Sequence, residues 1–398
     1  MKFHYFIFLT IYIFLSGCRT KASKDVDSDY YTIDYEQYVE EEKPMLLSEI
    51  ADSIEYIELR TPEDIIFSNI TNIIPLNEDL IICASEGGPW RGVYKFRRDG
   101  QFVKRIGGIG QSLGEYLLAM DFQIDKNNKE IIIIDISYLH FYDFDGSYLR
   151  STKQQTSSIK TSIGVSDSIL WIHLVPQNKE KYIAVAIAHN ENGDTVATIP
   201  DPFYKTKTSD FGSIIPTFPA FYHKNEFLYF KPNDSYDTLW QISGKNKELY
   251  AYINMGKYKL PIENERWYST VEFDRLSHNY WAINIIAEDD RYIFLRSETR
   301  NRSIQHHKYN YIVYDKMKRN GFATKDKKDL KITDDIMGGP NVWPLWITEK
   351  YYISTISRDE LQKQIDTGNY SPSEPLKSQL SRIGENANQI IILCHRKS

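Results

Sequence analysis

One strand–turn–strand pattern recurs along this chain, and it limits the possible folds more than any other feature does. Val93–Val103 and Leu139–Leu149 share an alternating apolar strand, an Asp-Gly pair and a second apolar strand. Asp-Gly between such strands predicts a tight hairpin, because glycine tolerates the positive φ that the turn needs. The pairs that begin at Asp99 and Asp145 are 46 residues apart. A period of about 40–50 residues with several short strands per repeat is typical of β-propeller blades.

Weaker copies of the pattern follow further along the chain. Hairpin turns are predicted at Asn192-Gly193, Ser243-Gly244 and Asn320-Gly321. The wider spacing before the last of these turns indicates an insertion over 257–280. The chain also contains 29 Tyr and 19 Phe residues, and aromatic residues favour strands.

The last repeat completes a ring of blades. It is predicted from Trp346–Thr355 and Ile390–His395, which brings the number of blades to six. A blade can bury both faces of its sheet only between neighbours, so the ring has to close. We expect closure by the strand Ile54–Leu59, by the last strand, or by both.

A helical pattern interrupts the last repeat at about 357–384. Ser357 and Glu360 form a capping box that predicts a helix start, and Gly368-Asn369 predicts its end. A second short helix is predicted from Pro375 to Ile383. The predicted fold is therefore all-β, a six-bladed β-propeller over 46–398 with a short C-terminal helical insertion.

The first two repeats resemble NHL-type repeats. The resemblance is carried by Ile106–Tyr116, Phe122–Asp125, Ile131–Asp135 and Phe141–Gly146. Together with the ending of the chain, it makes the sequence similar to the six-bladed β-propeller lipoproteins of Bacteroidetes over about Leu46–Lys397. The resemblance implies a propeller attached to the cell envelope.

The N-terminal segment predicts how such attachment is made. Lys2 precedes an apolar run, Phe3–Leu15, and small residues lead to Cys18. The run is too short to span a bilayer, which takes about 20 apolar residues, and it has the length of a signal peptide core. It resembles a bacterial lipoprotein signal, which implies that residues 1–17 are removed and that Cys18 carries lipid. An uncleaved N-terminal anchor is the alternative.

Residues 18–45 are predicted to form a flexible tether between the lipid and the propeller, because the stretch after Cys18 is polar and lacks apolar periodicity. Two or more acyl chains anchor a protein stably, so the membrane is one predicted partner. The expected location is the cell envelope, as an outer-membrane lipoprotein that is either periplasmic or exposed at the surface.

Charge and cysteine content narrow the remaining classes. The formal net charge is −6 and the basic residues are scattered, which argues against nucleic-acid binding. Cys83 and Cys394 lie in apolar strand-like runs and are expected to be buried free thiols. A disulfide between them is the alternative in an oxidising compartment.

Local motifs for catalysis, metals and cofactors are absent from the sequence. The glycines of Gly108–Gly114 have the wrong spacing for a dinucleotide loop, so this segment is interpreted as a connection between blades. No paired Cys-x-x-Cys, His-Glu-x-x-His or Gly-x-Ser-x-Gly occurs. We expect no metal, no cofactor and no catalytic residue, and we expect Asp121, Asp125 and Asp135 to cap turns.

Tryptophans near Gly-Gly-Pro loops are the candidate ligand contacts. Their flat apolar rings suit stacking on a sugar or a peptide, but the same side chains could instead fill the space between blades. Two further candidates lie in or beside the predicted insertion and carry the same ambiguity. The candidate ligand-binding residues are Trp90, Arg91, Trp343, Trp346, Arg275 and Trp281.

The leading functional hypothesis is a non-catalytic envelope lipoprotein that binds or scaffolds a partner on one propeller face. The partner would be a glycan, a peptide or another envelope protein. A propeller-type hydrolase or lyase with acidic or histidine residues at the central channel is one alternative. A structural subunit of an outer-membrane complex is another.

Overall fold

The fold is known from a computed structural model of the chain. The residues it describes form six sheets of four or five strands and one two-stranded ribbon, which confirms the all-β six-bladed propeller. The described ranges are 29–86, 91–153, 159–175, 184–190, 193–200, 220–232, 236–259, 280–299, 308–325, 331–367, 370–384, 387 and 389–397.

Blades 1 to 3 are simple antiparallel sheets whose strands pair in chain order from the innermost to the outermost. Their strands are Asn69–Leu76, Asp79–Ser85, Arg91–Arg97 and Phe102–Ile106 in blade 1; Asp121–Asp125, Glu130–Ile134, Tyr138–Asp143 and Tyr148–Lys153 in blade 2; and Ile159–Ser166, Ile169–Val175, Ala184–His189 and Thr195–Pro200 in blade 3.

Blades 4 and 5 have the same order, and each gains a fifth, parallel strand from the N-terminal part of the chain. Their strands are Ala220–Lys224, Phe227–Lys231, Thr238–Ser243, Asn246–Asn254 and Tyr31–Asp34 in blade 4, and Trp281–Glu288, Tyr292–Thr299, Tyr309–Asp315, Asn320–Thr324 and Glu42–Lys43 in blade 5.

Blade 6 closes the ring by combining both ends of the chain. Trp346–Ile347, Tyr351–Ser357 and Gln389–Arg396 pair in that order, and Ala51–Glu58 completes the sheet as the outermost strand. Ile57 lies opposite Ile391 in this antiparallel pair. The predicted closure is thus confirmed, and both of the proposed strands take part in it.

Six apolar cores fill the spaces between adjacent blades. The core between blades 6 and 1, for example, joins Ile353 and Ile391 to Ile82 and Phe96. Burial of these side chains stabilises the ring, since each buried aliphatic or aromatic side chain contributes about 1.5–3 kcal/mol relative to exposure. The second strands of blades 1 and 2 are buried at consecutive positions, as in Ile131–Ile134, so their side chains cover both faces of the blade.

The tether predicted for residues 18–45 is too long. From Tyr31 onward the chain is part of the propeller, and it passes from the rim of blade 4 to that of blade 5 through the short helix Tyr35–Tyr38. Ile33 and Tyr35 are fully buried, and Met45 is nearly so. Neighbouring blades provide the apolar surface that the polar sequence context of these residues did not reveal.

The tight turns follow the predicted pattern with one exception. Gly100, Gly146, Gly193 and Gly244 have positive φ angles at the ends of hairpins. The turn predicted at Asn320-Gly321 is displaced, because these residues already pair with blade 5 and the positive φ falls on Arg319 instead.

The helical insertion has the predicted place and start. Its helices are Arg358–Asp366 and Glu374–Leu380, and the Ser357 hydroxyl accepts a hydrogen bond from the Glu360 amide. Three-residue 3-10 helices lie at Leu47–Glu49 and Gly256–Tyr258. Within the part of the chain that the structure describes, no helix is long and apolar enough to cross a membrane.

Cys83 and Cys394 are buried free thiols, as predicted. Burial raises the pKa of Cys83 to about 12 and that of Cys394 as well. Both side chains therefore stay protonated and poorly reactive at neutral pH.

Candidate binding face

The two faces of the propeller differ in the length of their connections. Where the first strand of a blade meets the second, or the third meets the fourth, the chain turns tightly, as at 77–78 and 244–245. The remaining connections are mostly longer and begin and end at the opposite face, as do 107–120, 255–280 and 358–388. We call these the tight-turn face and the long-loop face. Long connections on a rigid scaffold commonly carry binding residues.

Exposed apolar side chains gather on one part of the long-loop face. They belong to the connection between blades 1 and 2 and to the loop between the second and third strands of blade 2. Their exposed fractions lie between 36% and 85%. We call this group the blade 2 patch, and its members are Ile109, Leu113, Leu117, Ile136 and Tyr138.

A buried carboxylate holds the two loops of the patch together. Asp135 Oδ2 accepts a hydrogen bond from the Leu117 amide at 3.1 Å, and Oδ1 accepts from the amides of Leu118 at 3.2 Å and Ile136 at 2.6 Å. Burial alone would raise the pKa of Asp135, but these bonds and the neighbouring His140 outweigh it and lower the pKa below its usual value. The Asp135 carboxylate is therefore ionised, and it holds the backbone of Leu117 close to that of Ile136.

His140 lies under the same loops and is itself held in place. Its Nδ1 is 2.8 Å from the Ser151 hydroxyl, and its Nε2 is 3.6 Å from Asp135 Oδ2. The ring also packs near Tyr116 and Tyr138, with centroid separations of 6.2 Å and 5.9 Å. Ser151 and Asp135 thus fix the position of the His140 ring, which packs near the patch residue Tyr138.

The glycine-rich connection that forms part of the patch is held by hydrogen bonds at several points. The Tyr116 hydroxyl donates to the Ile106 carbonyl at 3.0 Å and accepts from the Val93 amide at 2.9 Å. The Tyr142 hydroxyl donates to the carbonyl of Gly114 at 3.1 Å, and Gly114 has a positive φ of 77°. A loop fixed in this way loses little conformational entropy when a partner binds.

Near the central channel, Asp121 joins three blades. It accepts hydrogen bonds from Asn72 Nδ2 at 3.1 Å in blade 1 and from Ser162 Oγ at 2.9 Å and the Ile163 amide at 3.1 Å in blade 3. Burial raises the pKa of Asp121 despite these bonds. Its oxygens are occupied by internal donors, so this carboxylate fastens the inner strands to each other.

A second buried carboxylate network lies at the tight-turn face between blades 4 and 5. The side chain of Glu288 is fully buried and lies 2.5 Å from Lys316 Nζ and 3.3 Å from Lys224 Nζ. It also accepts hydrogen bonds from the hydroxyls of Tyr222, at 2.9 Å, and Tyr250. Burial and the nearby Glu288 raise the pKa of both tyrosines. The charges are paired within the fold, which is typical of a structural network.

A profile of the family described as "Domain of unknown function (DUF4934)" matches residues 30–395. The chain belongs to this family. The match begins where the structure shows that the propeller begins, near Tyr31. A search among curated proteins found no match.

Solved structures similar to this DUF4934 protein are distant in sequence. The WD40 domain of Pan2 from Neurospora crassa is 10% identical with a TM-score of 0.39, and the match covers 70% of this chain and 73% of that one. The extracellular domain of BT4673 from B. thetaiotaomicron is 9% identical with a TM-score of 0.39, and the match covers 68% of this chain and 29% of that one. The N-terminal domain of Nup159 is 10% identical with a TM-score of 0.38, and the match covers 80% of this chain and 77% of that one.

Trp343 of the DUF4934 protein is a core residue, so its predicted role as a ligand contact is wrong. It is 2% exposed and packs edge-on against Phe294 at 5.6 Å and Tyr311 at 4.9 Å between ring centroids. The space between blades 5 and 6 is apolar and closely packed, which suits a large ring. The alternative interpretation, in which tryptophan fills a gap between blades, is correct here.

Trp346, Trp281 and Arg91 do not come together in one site. Trp346 is half-buried against the core between blades 6 and 1, and Trp281 is half-buried against the core between blades 4 and 5. Arg91 starts the third strand of blade 1 and donates to the Met120 carbonyl at 3.4 Å. Trp90, Arg275 and Cys18 lie outside the described residues.

Sequence reasoning missed the blade 2 patch. Its segment was interpreted only as a connection between blades, which is where it lies, as 107–120. The available signal was the presence of two leucines, Leu113 and Leu117, in a loop that has no alternating strand pattern. The expected turn cap is confirmed for Asp125, whose Oδ1 accepts hydrogen bonds from the amides of Asn127 and Asn128. Asp135 accepts amide hydrogen bonds in its loops, whereas Asp121 joins the inner strands of neighbouring blades and does not cap a turn.

Among the residues that the structure describes, no group of three or more His, Cys, Asp or Glu side chains could hold a metal ion. The carboxylates of Asp121, Asp135 and Glu288 are instead joined to amides, hydroxyls or lysines of the fold. Among the described connections of the long-loop face, those that form the blade 2 patch present exposed apolar side chains.

Proposed function

We propose that this protein is an envelope lipoprotein whose propeller binds a protein partner through the blade 2 patch on its long-loop face. Cys18 would carry the lipid that holds the protein at the membrane. The propeller would act as a binding or scaffolding module and would not transform its partner chemically.

The observation that carries this proposal is the blade 2 patch itself. Exposed apolar side chains scattered singly are normal on a protein surface, whereas several on two joined loops favour an interaction site. The backbone amides of Leu117 and Ile136 both bond the Asp135 carboxylate, which holds the two loops of the patch together before any partner binds. A protein or peptide with apolar side chains fits such a surface better than a polar glycan does.

The charge of the connection supports an apolar partner. Between Gly107 and Met120 the only ionisable acid or base is Glu115, apart from the phenol of Tyr116. Glu115 Oε2 accepts the Ser112 amide hydrogen bond at 2.8 Å within the same loop. Recognition at this place would therefore depend on burial of apolar area, which contributes about 25 cal/mol per Å².

The anchor is tested by replacing Cys18 with Ala. The variant should move from the membrane fraction to the soluble fraction of the cell envelope, because the acyl chains supply the membrane affinity. A matched control is Cys83→Ala, which changes a buried thiol far from the N-terminus and should leave the protein on membranes. Retention of the Cys18→Ala variant on membranes would contradict the lipid anchor.

The binding face is tested by site-specific photo-crosslinking in cells. A photoreactive amino acid is placed at Ile136, which is 51% exposed in the patch, or at Leu149, which is 46% exposed on the outermost strand of the same blade. We expect a discrete protein adduct from position 136 and none from position 149. Equal adducts at both positions, or an adduct from 149 alone, would contradict the proposal.

A second variant pair tests the apolar character of the contact. Leu117→Glu places a charge in the patch and should reduce the adduct formed from position 136 at least tenfold. Val196→Glu places a charge on the exposed rim of blade 3 and should leave that adduct unchanged. If Leu117→Glu leaves the adduct intact while the protein stays folded, the partner does not bind through the patch.

A further inference from the structure

The N-terminal part of the propeller begins beside one tight turn of blade 5. Arg319 Nη2 donates a hydrogen bond to the Tyr30 carbonyl at 3.1 Å, and its guanidinium lies 5.5 Å from the centre of the Tyr31 ring. From there Tyr31–Asp34 runs parallel to Ala251–Asn254, the last part of the fourth strand of blade 4. The chain thus enters the fold next to the turn 316–319.

Among the described residues of the tight-turn face, that turn carries the most exposed large apolar side chain. Met317 is 81% exposed, and it stands between the buried Lys316 and two basic residues, Lys318 and Arg319. The Lys318 side chain is 68% exposed. An exposed thioether flanked by cationic groups has the composition of a contact with the interface of a lipid bilayer, where apolar groups meet anionic headgroups.

We infer that the turn 316–319 of blade 5, together with Tyr30, rests on the lipid surface to which the protein is anchored. This inference rests on the proposed lipid at Cys18. The segment from Cys18 to Asp29 reaches at most about 40 Å, because a chain of that length cannot span more. Such a short link holds the place where the chain joins the fold close to the membrane.

The geometry of the ring then sets the direction of the blade 2 patch. In a ring of six blades, blade 2 lies across the central axis from blade 5. The patch also lies on the long-loop face, whereas Met317 lies on the tight-turn face. Whether the propeller lies flat or stands on the rim of blades 4 and 5, the patch points away from the bilayer and stays open to a partner.

A lipid surface fits this corner better than a protein partner does. The turn offers one apolar side chain with cationic neighbours, in contrast to the broader uncharged blade 2 patch. Lys318 reaches Asp315 at 3.8 Å and is otherwise directed to solvent, so it can meet a phosphate group without breaking a buried pair. The turn lies beside the place where the anchored chain enters the fold, so the membrane is the surface that this turn meets first.

The test measures the distance of two matched positions from the bilayer in the full-length lipidated protein. Met317→Cys and Leu113→Cys are labelled with a fluorescent maleimide, since these side chains are 81% and 85% exposed. The buried Cys83 and Cys394 and an acylated Cys18 should not react, and the unsubstituted protein serves as the blank. The labelled proteins are reconstituted in phosphatidylethanolamine–phosphatidylglycerol vesicles that contain a lipid with a quencher on its headgroup.

We expect the label at position 317 to be quenched several-fold more strongly than the label at position 113. Met317→Cys combined with Lys318→Glu should reduce this quenching, because the added charge is repelled by phosphatidylglycerol. Equal quenching at both positions, or stronger quenching at 113, would overturn the inference.

Flotation of the vesicles separates the two proposals. If the protein floats with the vesicles but the quenching is equal or reversed, the anchor stands and the contact by blade 5 is wrong. If the unsubstituted protein does not float with the vesicles, the lipid anchor is wrong and the inference fails with it.

Discussion

Asp135→Asn tests whether a single buried carboxylate organises the blade 2 patch. The substitution keeps the size of the side chain but leaves only one oxygen to accept hydrogen bonds. In the wild type, Oδ1 serves the amides of Leu118 and Ile136, and Oδ2 serves the amide of Leu117. The NH2 group of asparagine would face at least one of these backbone N–H groups, and two donors cannot form a hydrogen bond with each other.

The expected loss follows from these bonds. A hydrogen bond to a charged group contributes about 1.5–3 kcal/mol, and a neutral one about 0.5–1.5 kcal/mol. The variant loses one charged bond and weakens the other two. Because the three bonds share one carboxylate, their losses overlap and are less than additive, so we expect the free energy of unfolding to fall by about 2–4 kcal/mol. If the loop opens locally instead, the amides of Leu117 and Leu118 should exchange with solvent about 30-fold to several-hundred-fold faster.

The effect should depend on pH. The pKa of Asp135 is lower in the folded protein than its usual value, because the hydrogen bonds outweigh burial. Its contribution is therefore complete above about pH 4–5 and is lost as the pH falls through the folded pKa. Asparagine does not titrate, so the difference between wild type and variant should narrow below about pH 4.

The assay is urea unfolding followed by tryptophan fluorescence at several pH values, with hydrogen exchange of the loop amides. Asp143→Asn is the matched control in the same blade, since one oxygen of Asp143 accepts a single amide bond from Ser147 at 2.7 Å. Asparagine can still accept that bond, so the control should lose about 1 kcal/mol or less. An Asp135→Asn variant that is no less stable than Asp143→Asn, or a difference that does not change with pH, would refute the reasoning.

Two further substitutions test the packing of the ring, each with a control. Trp343→Ala should lower the free energy of unfolding by about 3–5 kcal/mol, as for other buried aromatic residues. Its control is Trp346→Ala, which should lower the free energy of unfolding by roughly half as much, because Trp346 is half-buried. Equal losses in urea unfolding would contradict the core position of Trp343. Gly100→Ala should be clearly more destabilising than Gly193→Ala, because both have φ near +83° but only at Gly100 would a Cβ meet a backbone oxygen, that of Glu58 at 1.9 Å. The left-handed backbone alone costs about 1–2 kcal/mol at both positions, so the difference between the two variants reports the contact with Glu58. Equal losses in thermal unfolding would show that the turn of blade 1 does not pack on the closing strand as described.

Features that depend on neighbours in sequence were predictable. The Asp-Gly hairpins at Gly100 and Gly146 have the expected positive φ, and the cap at Ser357 forms as expected. Turns and caps are set by hydrogen bonds and backbone angles within a few residues, so the local sequence determines them. The repeat of such units then predicts a ring, because single blades cannot bury their own faces.

The N-terminal segment shows the limit of local patterns. Ile33 and Tyr35 stand among polar residues and were included in a flexible tether, yet they are fully buried between blades 4 and 5. Tyr31–Asp34 pairs in parallel with a strand that is distant in sequence. No hairpin turn connects the two strands, so no local sequence pattern predicts their pairing. This pairing is stabilised by surface that only the closed ring provides.

The candidate site was decided by the tertiary structure as well. The ring of Trp343 is of a kind that often contacts ligands, but the neighbouring Phe294 and Tyr311 pack against it in the core. Leu117 and Ile136 become one surface because Asp135 binds the amides of both loops. The sequence by itself determined the repeating strands, the turns and the closing of the ring, since these follow from local hydrogen bonding and the burial of alternating apolar residues. Which side chains face a partner was decided only by folding, because exposure depends on residues far away in the chain that pack over some side chains and leave others uncovered.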